Sequence, residues 1–249
     1  MPYGLYLSAA GAHAQSHRMQ VLSHNLANVE TPGFKPHQTL LQARFSELIE
    51  NGQVSPGQGG IDDLGGGVTI GENAIEFQMG AIRQTGRRTD FAIEDPGTFF
   101  AVRRNDETLL TRAGNFLFDS RGRLVNTHGD PVLSAGDAEI TIDPTRPYQI
   151  APGGVIVQGR TRTPLMLARP QNLADLAASD ENHFQPLAPF ELADPGRRRV
   201  ISGSLEQSAV SPTAAMMELV ETSRAYEANV RMIQNQDSAT GSLISRVLG

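Results

Sequence analysis

The chain has 249 residues, which is enough for one or two domains. Its formal net charge is -6 and only 19% of its residues are charged, so it lacks the basic excess typical of proteins that bind nucleic acids. It contains no cysteine, which excludes disulfides, thiolate metal sites and cysteine nucleophiles.

The N-terminal segment carries the period of a helix. Apolar or small residues recur every three or four positions from Leu5 to Val29, which predicts an amphipathic helix. The apolar stripe is narrow and rich in alanine at its start, a pattern that favours close packing against another helix. The helix is predicted to end at Thr31-Pro32-Gly33, because proline disfavours the helical conformation of the residue before it.

The middle of the chain predicts strands. The Gly-rich stretch 51–67 is interpreted as an extended connection. Beyond it the apolar period falls towards two, and turn residues recur at roughly ten-residue intervals, which indicates an all-β domain. The predicted strands are 68–70, 74–77, 90–93, 99–102, 109–111, 116–118, 140–142, 155–157 and 165–167.

The C-terminal segment predicts a second helix. It follows Ser211-Pro212, a pair that suits the N-cap and the first helical position. Alternating steps of three and four residues then define a heptad seam that is interrupted by polar residues. The seam runs through Met216, Leu219, Ser223, Tyr226, Val230, Ile233, Asp237, Thr240, Ile244 and Val247.

Together these elements predict a mainly β protein with terminal α-helices. The N- and C-terminal helices are expected to pair as a coiled-coil-like unit beside a central all-β domain. Residues 1–35 would form the N-terminal helix and turn, 36–75 an extended Gly-rich connector, 76–203 the central β-domain and 204–249 the C-terminal helix. Two helices with narrow apolar stripes must meet each other or a partner to bury them, so the pattern favours assembly over catalysis.

Signatures of catalysis are absent from the sequence. It has no phosphate-binding loop, dinucleotide fingerprint, nucleophile elbow or zinc-protease motif. His13 and His17 are four residues apart and could share a metal, but no third ligand is evident. The neighbouring carboxylates Asp62-Asp63 and Glu94-Asp95 are interpreted as turn and surface charges. We therefore predict no catalytic residue, no cofactor and no metal.

Targeting signals are also absent. No apolar run approaches the roughly 18 residues of a membrane-spanning helix. The first basic residue is Arg18, so the N-terminus lacks the charged region of a secretory signal peptide. Taken alone, these features predict a cytoplasmic protein or one exported without a cleaved signal peptide.

Polar residues cluster at the end of the first helix. Asn25 and Asn28 flank its apolar stripe and precede Thr31. Two interpretations stay open: hydrogen bonding at the helix end, or polar contacts to neighbouring subunits.

The segment that contains these residues, Ser23 to Lys35, reads SHNLANVETPGFK. It resembles the N-terminal signature of bacterial flagellar basal-body rod and hook proteins, NNLAN-x-x-T-x-G-[FY]-[KR], with His24 where the family usually has Asn. The resemblance implies an assembly motif of Asn25, Leu26, Asn28, Thr31, Gly33, Phe34 and Lys35.

Three further blocks resemble the same family. Residues 90–102 are similar to D-x-A-I-x-G-x-G-F-F-x-V, with Asp95 and Thr98 at common glycine positions, and 111–132 are similar to the hairpin that begins T-R-x-G-x-F. The implied β-domain motif is Gly97, Phe99, Phe100, Thr111, Arg112, Gly114, Phe116, Gly122 and Gly129. The block 203–233 resembles the C-terminal signature, and the implied seam is Leu205, Glu206, Met216, Leu219, Arg224, Tyr226, Glu227, Val230 and Ile233.

The resemblance implies a structural subunit of the flagellar basal-body rod that is not an enzyme. Such a subunit would polymerise through its terminal helices and transmit torque from motor to hook. Its partners would be further copies, neighbouring rod proteins and the flagellar type III export apparatus, with no nucleic acid. It would lie in the periplasmic part of the basal body after export without a cleaved signal peptide. The length and the opening Tyr3-Gly4-Leu5-Tyr6 favour the proximal-rod branch over the distal-rod branch.

Two rival functions stay open at this point. One is a periplasmic β-domain that binds peptidoglycan or another ligand and uses its helical ends to oligomerise. The absence of tryptophan, with only 4 tyrosines and 10 phenylalanines, disfavours stacking on sugars. The other is an enzyme built on paired carboxylates, for which the sequence offers no substrate.

Overall fold

The computed structural model describes residues 3–45, 49, 55, 65–143, 145–180, 182–193 and 199–248. The chain forms two compact units. Unit 1 comprises Met1–Ala27, His37–Ile75 and Ser211–Gly249, and unit 2 comprises Asn28–Pro36 and Glu76–Val210. Each unit is therefore assembled from segments that are far apart in the sequence.

Unit 1 consists of two long helices and a hairpin. The helices are α1 (Tyr3–Ala27) and α2 (Pro212–Leu248), and the strands are β1 (His37–Arg44) and β2 (Gly67–Ile75). The two strands pair antiparallel, with a register shift between Thr39 and Leu41. The predicted connection 51–67 lies almost entirely outside the described residues.

The helices of unit 1 approach closely at two glycines of α1, and only the middle of the predicted apolar seam is partly covered. A Cβ atom on Gly4 would lie 2.7 Å from Nε2 of Gln236, and one on Gly11 would lie 2.9 Å from Oδ1 of Asn229. The residue numbers of the two contacts run in opposite directions, so α1 and α2 pack antiparallel. At both contacts the residue of α1 has no side chain. By contrast, the seam residues Met216 and Ile244 are 53% and 54% exposed.

The prediction of a coiled-coil-like unit is therefore wrong. A coiled coil requires apolar side chains inserted between those of the facing helix, and glycine supplies none. In addition, α1 packs against the hairpin, where Gly67 of β2 approaches Leu7 and Ala10. The terminal helices, the predominance of strands between them and the pairing of the helices agree with the sequence, whereas the coiled-coil form of that pairing does not.

Unit 2 contains the remaining strands, which form several small sheets and one of six strands in the order β13-β14-β6-β5-β12-β15. Neighbouring strands of the large sheet are antiparallel. The strands are β3 (Ile82–Gln84), β4 (Phe91–Ile93), β5 (Phe99–Arg104), β6 (Glu107–Thr111), β7 (Leu117–Phe118), β8 (Leu124–Val125), β9 (Gln149–Ala151), β10 (Val155–Gln158), β11 (Thr161–Pro164), β12 (Leu167–Pro170), β13 (Leu176–Asp180), β14 (His183–Pro186), β15 (Phe190–Leu192), β16 (Val200–Ser202) and β17 (Ser204–Glu206).

The centre of the large sheet is the β5–β6 hairpin. Its two turn residues, Asn105 and Asp106, have φ angles of 49° and 65°, as a tight hairpin turn of the I′ type requires. Both strands were predicted from sequence. The predicted strand at 140–142 is not regular, since this stretch forms only isolated bridges such as Thr141 with Arg123.

The core of unit 2 lies beneath these strands. Phe100 and Phe116 pack edge to face, with ring centroids 5.2 Å apart. The buried cluster comprises Phe91, Ile93, Phe100, Val102, Leu109, Phe116, Leu124, Val132, Ile140, Ile142, Ile156, Leu165, Leu167 and Val200.

Replacement of Gly114 tests this packing. A Cβ atom there would lie 1.8 Å from the carbonyl oxygen of Phe91, which is backbone and cannot move aside cheaply. We expect Gly114→Ala to lower the free energy of unfolding by at least about 2 kcal/mol, measured by urea denaturation. The control is Gly241→Ala, since nothing lies within 4 Å of that site in α2. It should stabilise by less than about 1 kcal/mol. Equal stability of the two variants would contradict the packing described.

Candidate functional site

Three signature segments of the sequence meet at one buried carboxylate in unit 2. Glu206, the last residue of β17, is 1% exposed. Its Oε1 accepts hydrogen bonds from Nζ of Lys35 at 2.6 Å and from the backbone N–H of Gly80 at 3.0 Å. Its Oε2 lies 2.8 Å from Nε and 2.7 Å from Nη2 of Arg112. One carboxylate thus receives two buried cations, which together form what we call the Glu206 network.

Arg112 contacts several segments of unit 2 through its guanidinium group. Besides its two contacts with Glu206, Nη2 donates to the carbonyl of Ile93 at 3.0 Å. Nη1 donates to the carbonyls of Asp95 and Thr98. The guanidinium therefore donates four hydrogen bonds and makes one further close contact with the carboxylate. The group also lies 5.8 Å from the ring centroid of Phe99. This pattern ties the loop before β5 to the end of β17.

Lys35 is the second cation of the network. Its Nζ also donates to the carbonyl of Gln78 at 2.6 Å. Burial lowers the pKa of Lys35 below its ordinary value, and the Glu206 carboxylate offsets part of that shift. Glu206 therefore stabilises the charged form of a lysine that burial disfavours.

The backbone around Lys35 is fixed in the same place. Gly33 has a φ of 69°, and a Cβ there would lie 2.4 Å from the carbonyl carbon of Arg112, so only glycine fits. Its N–H donates to the carbonyl of Glu206 at 2.9 Å, and the buried Phe34 accepts from the N–H of Ala209 at 3.1 Å. The segment after α1 is thus held in unit 2 by backbone as well as by charge.

The other residues of the predicted assembly motif have local partners. In unit 1, the buried Asn25 bonds both backbone groups of His37, at 2.8 and 2.9 Å, and so holds the start of β1 to α1. In unit 2, Thr31 donates to Oδ1 of the buried Asn28 at 3.0 Å. These contacts match the first of the two interpretations, local hydrogen bonding. Leu26 is half-buried.

Most of the predicted β-domain motif builds the core and turns of unit 2. Phe99, Phe100 and Phe116 are fully buried. Thr111 is also buried, and its hydroxyl accepts from the N–H of Ala113 at 3.0 Å. Gly122 and Gly129 have φ angles of 78° and 88° at turns. Gly97 is half-buried beside Asp95, whereas Gly114 is buried.

The predicted C-terminal seam is divided by the structure. Leu205 and Glu206 are buried in unit 2. On α2, Leu219, Tyr226, Val230 and Ile233 are half-buried, while Met216, Arg224 and Glu227 are exposed. Glu227 lies 3.7 Å from Arg231, one turn further along the helix.

A second polar cluster in unit 2 was not found from the sequence. Its possible metal ligands, His128, Asp130 and His183, have side-chain atoms within 4.8 Å of one another. The amide of Asn126 lies between them: Nδ2 is 2.9 Å from Oδ2 of Asp130 and 3.0 Å from Nε2 of His183. The NH₂ group of Asn126 therefore occupies the space between the carboxylate of Asp130 and the ring of His183.

The orientation of that amide is fixed by the turn it closes. Oδ1 of Asn126 accepts from the backbone N–H groups of His128 and Asp130, at 2.9 and 2.8 Å. Nδ2 must then face His183, which makes Nε2 of the neutral imidazole the acceptor. A cation at this point would have to displace Asn126. The arrangement fits a structural hydrogen-bond cluster better than a metal centre.

The histidines noted in the sequence lie elsewhere. His17 of α1 lines a cavity of about 230 Å³ in unit 1 together with His24 and His37. The rings of His24 and His37 are 5.3 Å apart, edge to face. His13 is not part of this lining and instead borders a separate groove beside Tyr6 and Arg44. The carboxylates Asp62-Asp63 lie outside the described residues.

Three family models match the chain. The model of flagella basal body rod proteins matches residues 5–35, that of the flagellar hook protein FlgE/F/G D1 domain matches 92–158, and that of the flagellar basal body rod FlgEFG protein C-terminal region matches 201–246. Lys35, Arg112 and Glu206 fall one in each of these segments. No described helix is long and apolar enough to cross a membrane.

Several curated proteins are similar over almost their whole length. Flagellar basal-body rod protein FlgF of Caulobacter vibrioides is 29% identical and the alignment covers 99% of this chain and 98% of that protein. Flagellar basal-body rod protein FlgG of Buchnera aphidicola subsp. Schizaphis graminum is 31% identical, with 94% and 95% covered. FlgG of Bacillus subtilis is 28% identical, with 97% of each chain covered.

Removing the charge of Glu206 tests the network. Glu206→Gln leaves Lys35 and Arg112 buried without their anion, so we expect the free energy of unfolding to fall by about 3–5 kcal/mol. The matched control is Glu227→Gln, which breaks an exposed pair with Arg231 and should cost less than about 1 kcal/mol. Chemical denaturation of both full-length variants measures the difference. A loss below about 1 kcal/mol for Glu206→Gln would refute the role assigned to the network.

The second cluster predicts a pH dependence. Burial, with repulsion from Arg104 and His128, lowers the pKa of His183 from 6.5 to about 4. Between pH 6.5 and 4 the unfolded chain therefore binds a proton that the folded chain does not. The free energy of unfolding should therefore decrease as the pH is lowered from 6.5 to 4, by up to about 3 kcal/mol.

The measurement is the free energy of unfolding at several pH values for the natural chain and for His183→Gln. The nearby charges of Asp130 and Asp180 act in the opposite sense, favouring protonation, and are common to both proteins. The variant should have a shallower slope between pH 6.5 and 4. Identical slopes would show that His183 does not carry the effect.

Proposed function

Because the chain belongs to the flagellar basal-body rod protein family, we propose that it enters the rod through its terminal helices and transmits torque from motor to hook through the stiffness of unit 2. As a member of this family it is a structural subunit of the bacterial flagellar basal-body rod and serves cell motility. The family is structural rather than enzymatic, and its members assemble with other rod subunits in the basal body. The identification made from the sequence is thereby confirmed.

The observation that carries the proposal is the exposed apolar surface of α2. Large apolar side chains between 51% and 65% exposed recur along the described part of this helix. A soluble helix that packs on one partner normally turns polar residues towards solvent. Such side chains mark a surface that is covered in an assembly. They are Met216, Met217, Val220, Met232, Leu243 and Ile244.

The torque-bearing role is supported by the Glu206 network. Residues from the segment after α1, from the middle of the chain and from β17 are joined there by buried, charge-assisted hydrogen bonds. Such bonds are about twice as strong as neutral ones and fix geometry. We propose that the predicted motif residues from Asn25 to Lys35 act in assembly by holding the start of unit 2 in one conformation.

We further propose that the subunit is exported by the flagellar type III apparatus without a cleaved signal peptide and lies in the periplasmic part of the basal body. A chain without cysteine suits passage into an oxidising compartment. We assign it to the proximal-rod branch, which carries the name FlgF. In support, the FlgF relatives align over 99–100% of this chain, and the FlgG relatives over 94–97%.

A chain that ends at Gln236 tests assembly through the helices. The described side chains beyond that point, up to Arg246, are exposed, so the free energy of unfolding should change by less than about 1 kcal/mol. Incorporation into isolated basal bodies, and swimming of a strain that lacks the natural gene, should both be lost. The proposal fails if the shortened chain supports normal swimming.

The matched control keeps the helix and changes only polar groups. Ser242 and Ser245 donate to carbonyls of their own helix, at 2.8 and 3.0 Å. Ser242→Ala with Ser245→Ala should therefore leave both incorporation and swimming at the level of the natural chain.

A further inference from the structure

Two separate apolar patches lie on α2. The start patch consists of Met216, Met217 and Val220, and the end patch consists of Leu243 and Ile244. The start patch does not face α1, because the residues of α2 that are buried there are Ala215 and Thr222. It is therefore open to a neighbour on the outer side of the helix.

The end patch projects beyond α1. The contacts of Gly4 with Gln236 and of Gly11 with Asn229 set the antiparallel register of the two helices. Tyr3, where α1 begins, is therefore level with the region of Gln236. The helix α2 continues to Leu248, about 18 Å further at 1.5 Å per residue. From Asp237 to Arg246 every side chain is exposed.

The two patches cannot cover each other within one chain. Met217 and Leu243 are separated by about 39 Å along a single straight helix, at 1.5 Å per residue. Each patch can be buried only by another surface. The two are matched in character, since both are composed of large aliphatic or thioether side chains that pack well against one another.

Charges beside the patches are complementary. Glu221 adjoins the start patch and Arg246 adjoins the end patch; both are exposed, and neither forms an ion pair with a described residue. The exposed cation Arg224 lies one turn beyond the last residue of the start patch, further from the patch than Glu221. If α2 helices of two copies lie parallel with Leu243 beside Met217, Arg246 comes next to Glu221. In this one register the apolar side chains of the two patches pack together and Arg246 faces Glu221. Such a match favours one partner in one orientation.

We propose that the end patch of one copy packs on the start patch of the next, so that copies of this chain associate head to tail. The proposal rests on the proposed function of the helices and specifies which surfaces meet. A contact between two different patches does not close on itself unless the rotation happens to form a ring. It is thus suited to a polymer that grows at its end.

Disulfide crosslinking tests the contact directly, because the natural chain has no cysteine. Full-length Met217→Cys and Leu243→Cys variants, tagged differently, are mixed at a concentration at which the chain polymerises and are then oxidised mildly. Contact predicts a dimer that carries both tags. Each chain carries a single cysteine, so any disulfide that forms joins two copies.

The matched control replaces Leu243→Cys with Arg231→Cys, an exposed position on the middle of α2 whose side chain is 77% exposed. The pair of positions 217 and 243 should give at least about fivefold more mixed dimer than the pair 217 and 231, as a contact favoured by about 1 kcal/mol predicts. Equal yields would overturn the proposal, and so would crosslinking of position 243 only to a different rod protein.

Charge reversal gives a second measurement. In the crosslinking pair, Glu221→Arg on the Met217→Cys chain should reduce the mixed dimer several-fold, and Arg246→Glu on the other chain should restore it. Failure of the second change to restore the yield would refute the proposed register.

The two experiments together distinguish an error in the proposed contact from an error in the proposed function. If the chain that ends at Gln236 fails to enter the rod but the mixed dimer does not form, the helices serve assembly and this contact is wrong. If that shortened chain enters the rod normally, the proposed function itself fails.

Discussion

The fold of unit 2 depends on one buried carboxylate that holds two cations. Removing charged groups from water is costly, and the cost is met only when every donor and acceptor is paired. Glu206 satisfies Lys35 and Arg112 and also receives the N–H of Gly80. Since these groups come from distant segments, the network specifies which segments must lie together. It stabilises one arrangement by making alternatives leave an unpaired charge in the interior.

The helices of unit 1 rely on a different principle. Gly4 and Gly11 remove side chains from α1 where the amides of Gln236 and Asn229 approach. The contact is therefore close and local, and it leaves part of the apolar surface of α2 exposed, including Met217 and Leu243. The same helix can hold its partner through small and polar residues and still offer an apolar surface to another subunit. The contact between the helices and the exposed apolar surface of α2 therefore use different residues.

Much of the architecture could be predicted from sequence, because helical period and strand period are local properties. The terminal helices and the strands at 99–102 and 109–111 followed from that pattern, and the motifs identified the family. Lys35, Arg112 and Glu206 were each singled out, yet nothing in their spacing indicated that they touch. The coiled-coil prediction was wrong because the apolar period does not reveal that α1 approaches α2 at Gly4 and Gly11, where no side chain can insert. The cluster at Asn126 was missed since its members lie in an ordinary turn and a distant strand.

The Glu206 network also constrains when unit 2 can finish folding. Lys35 and Glu206 are separated by 171 residues, so their contact closes a very long loop. Contacts of such separation form late in folding, because the entropy of loop closure must be overcome first. A chain that emerges from its N-terminus cannot complete unit 2 before residue 206 has appeared. Until then, Lys35 and Arg112 lack the carboxylate that pairs with them in the folded unit.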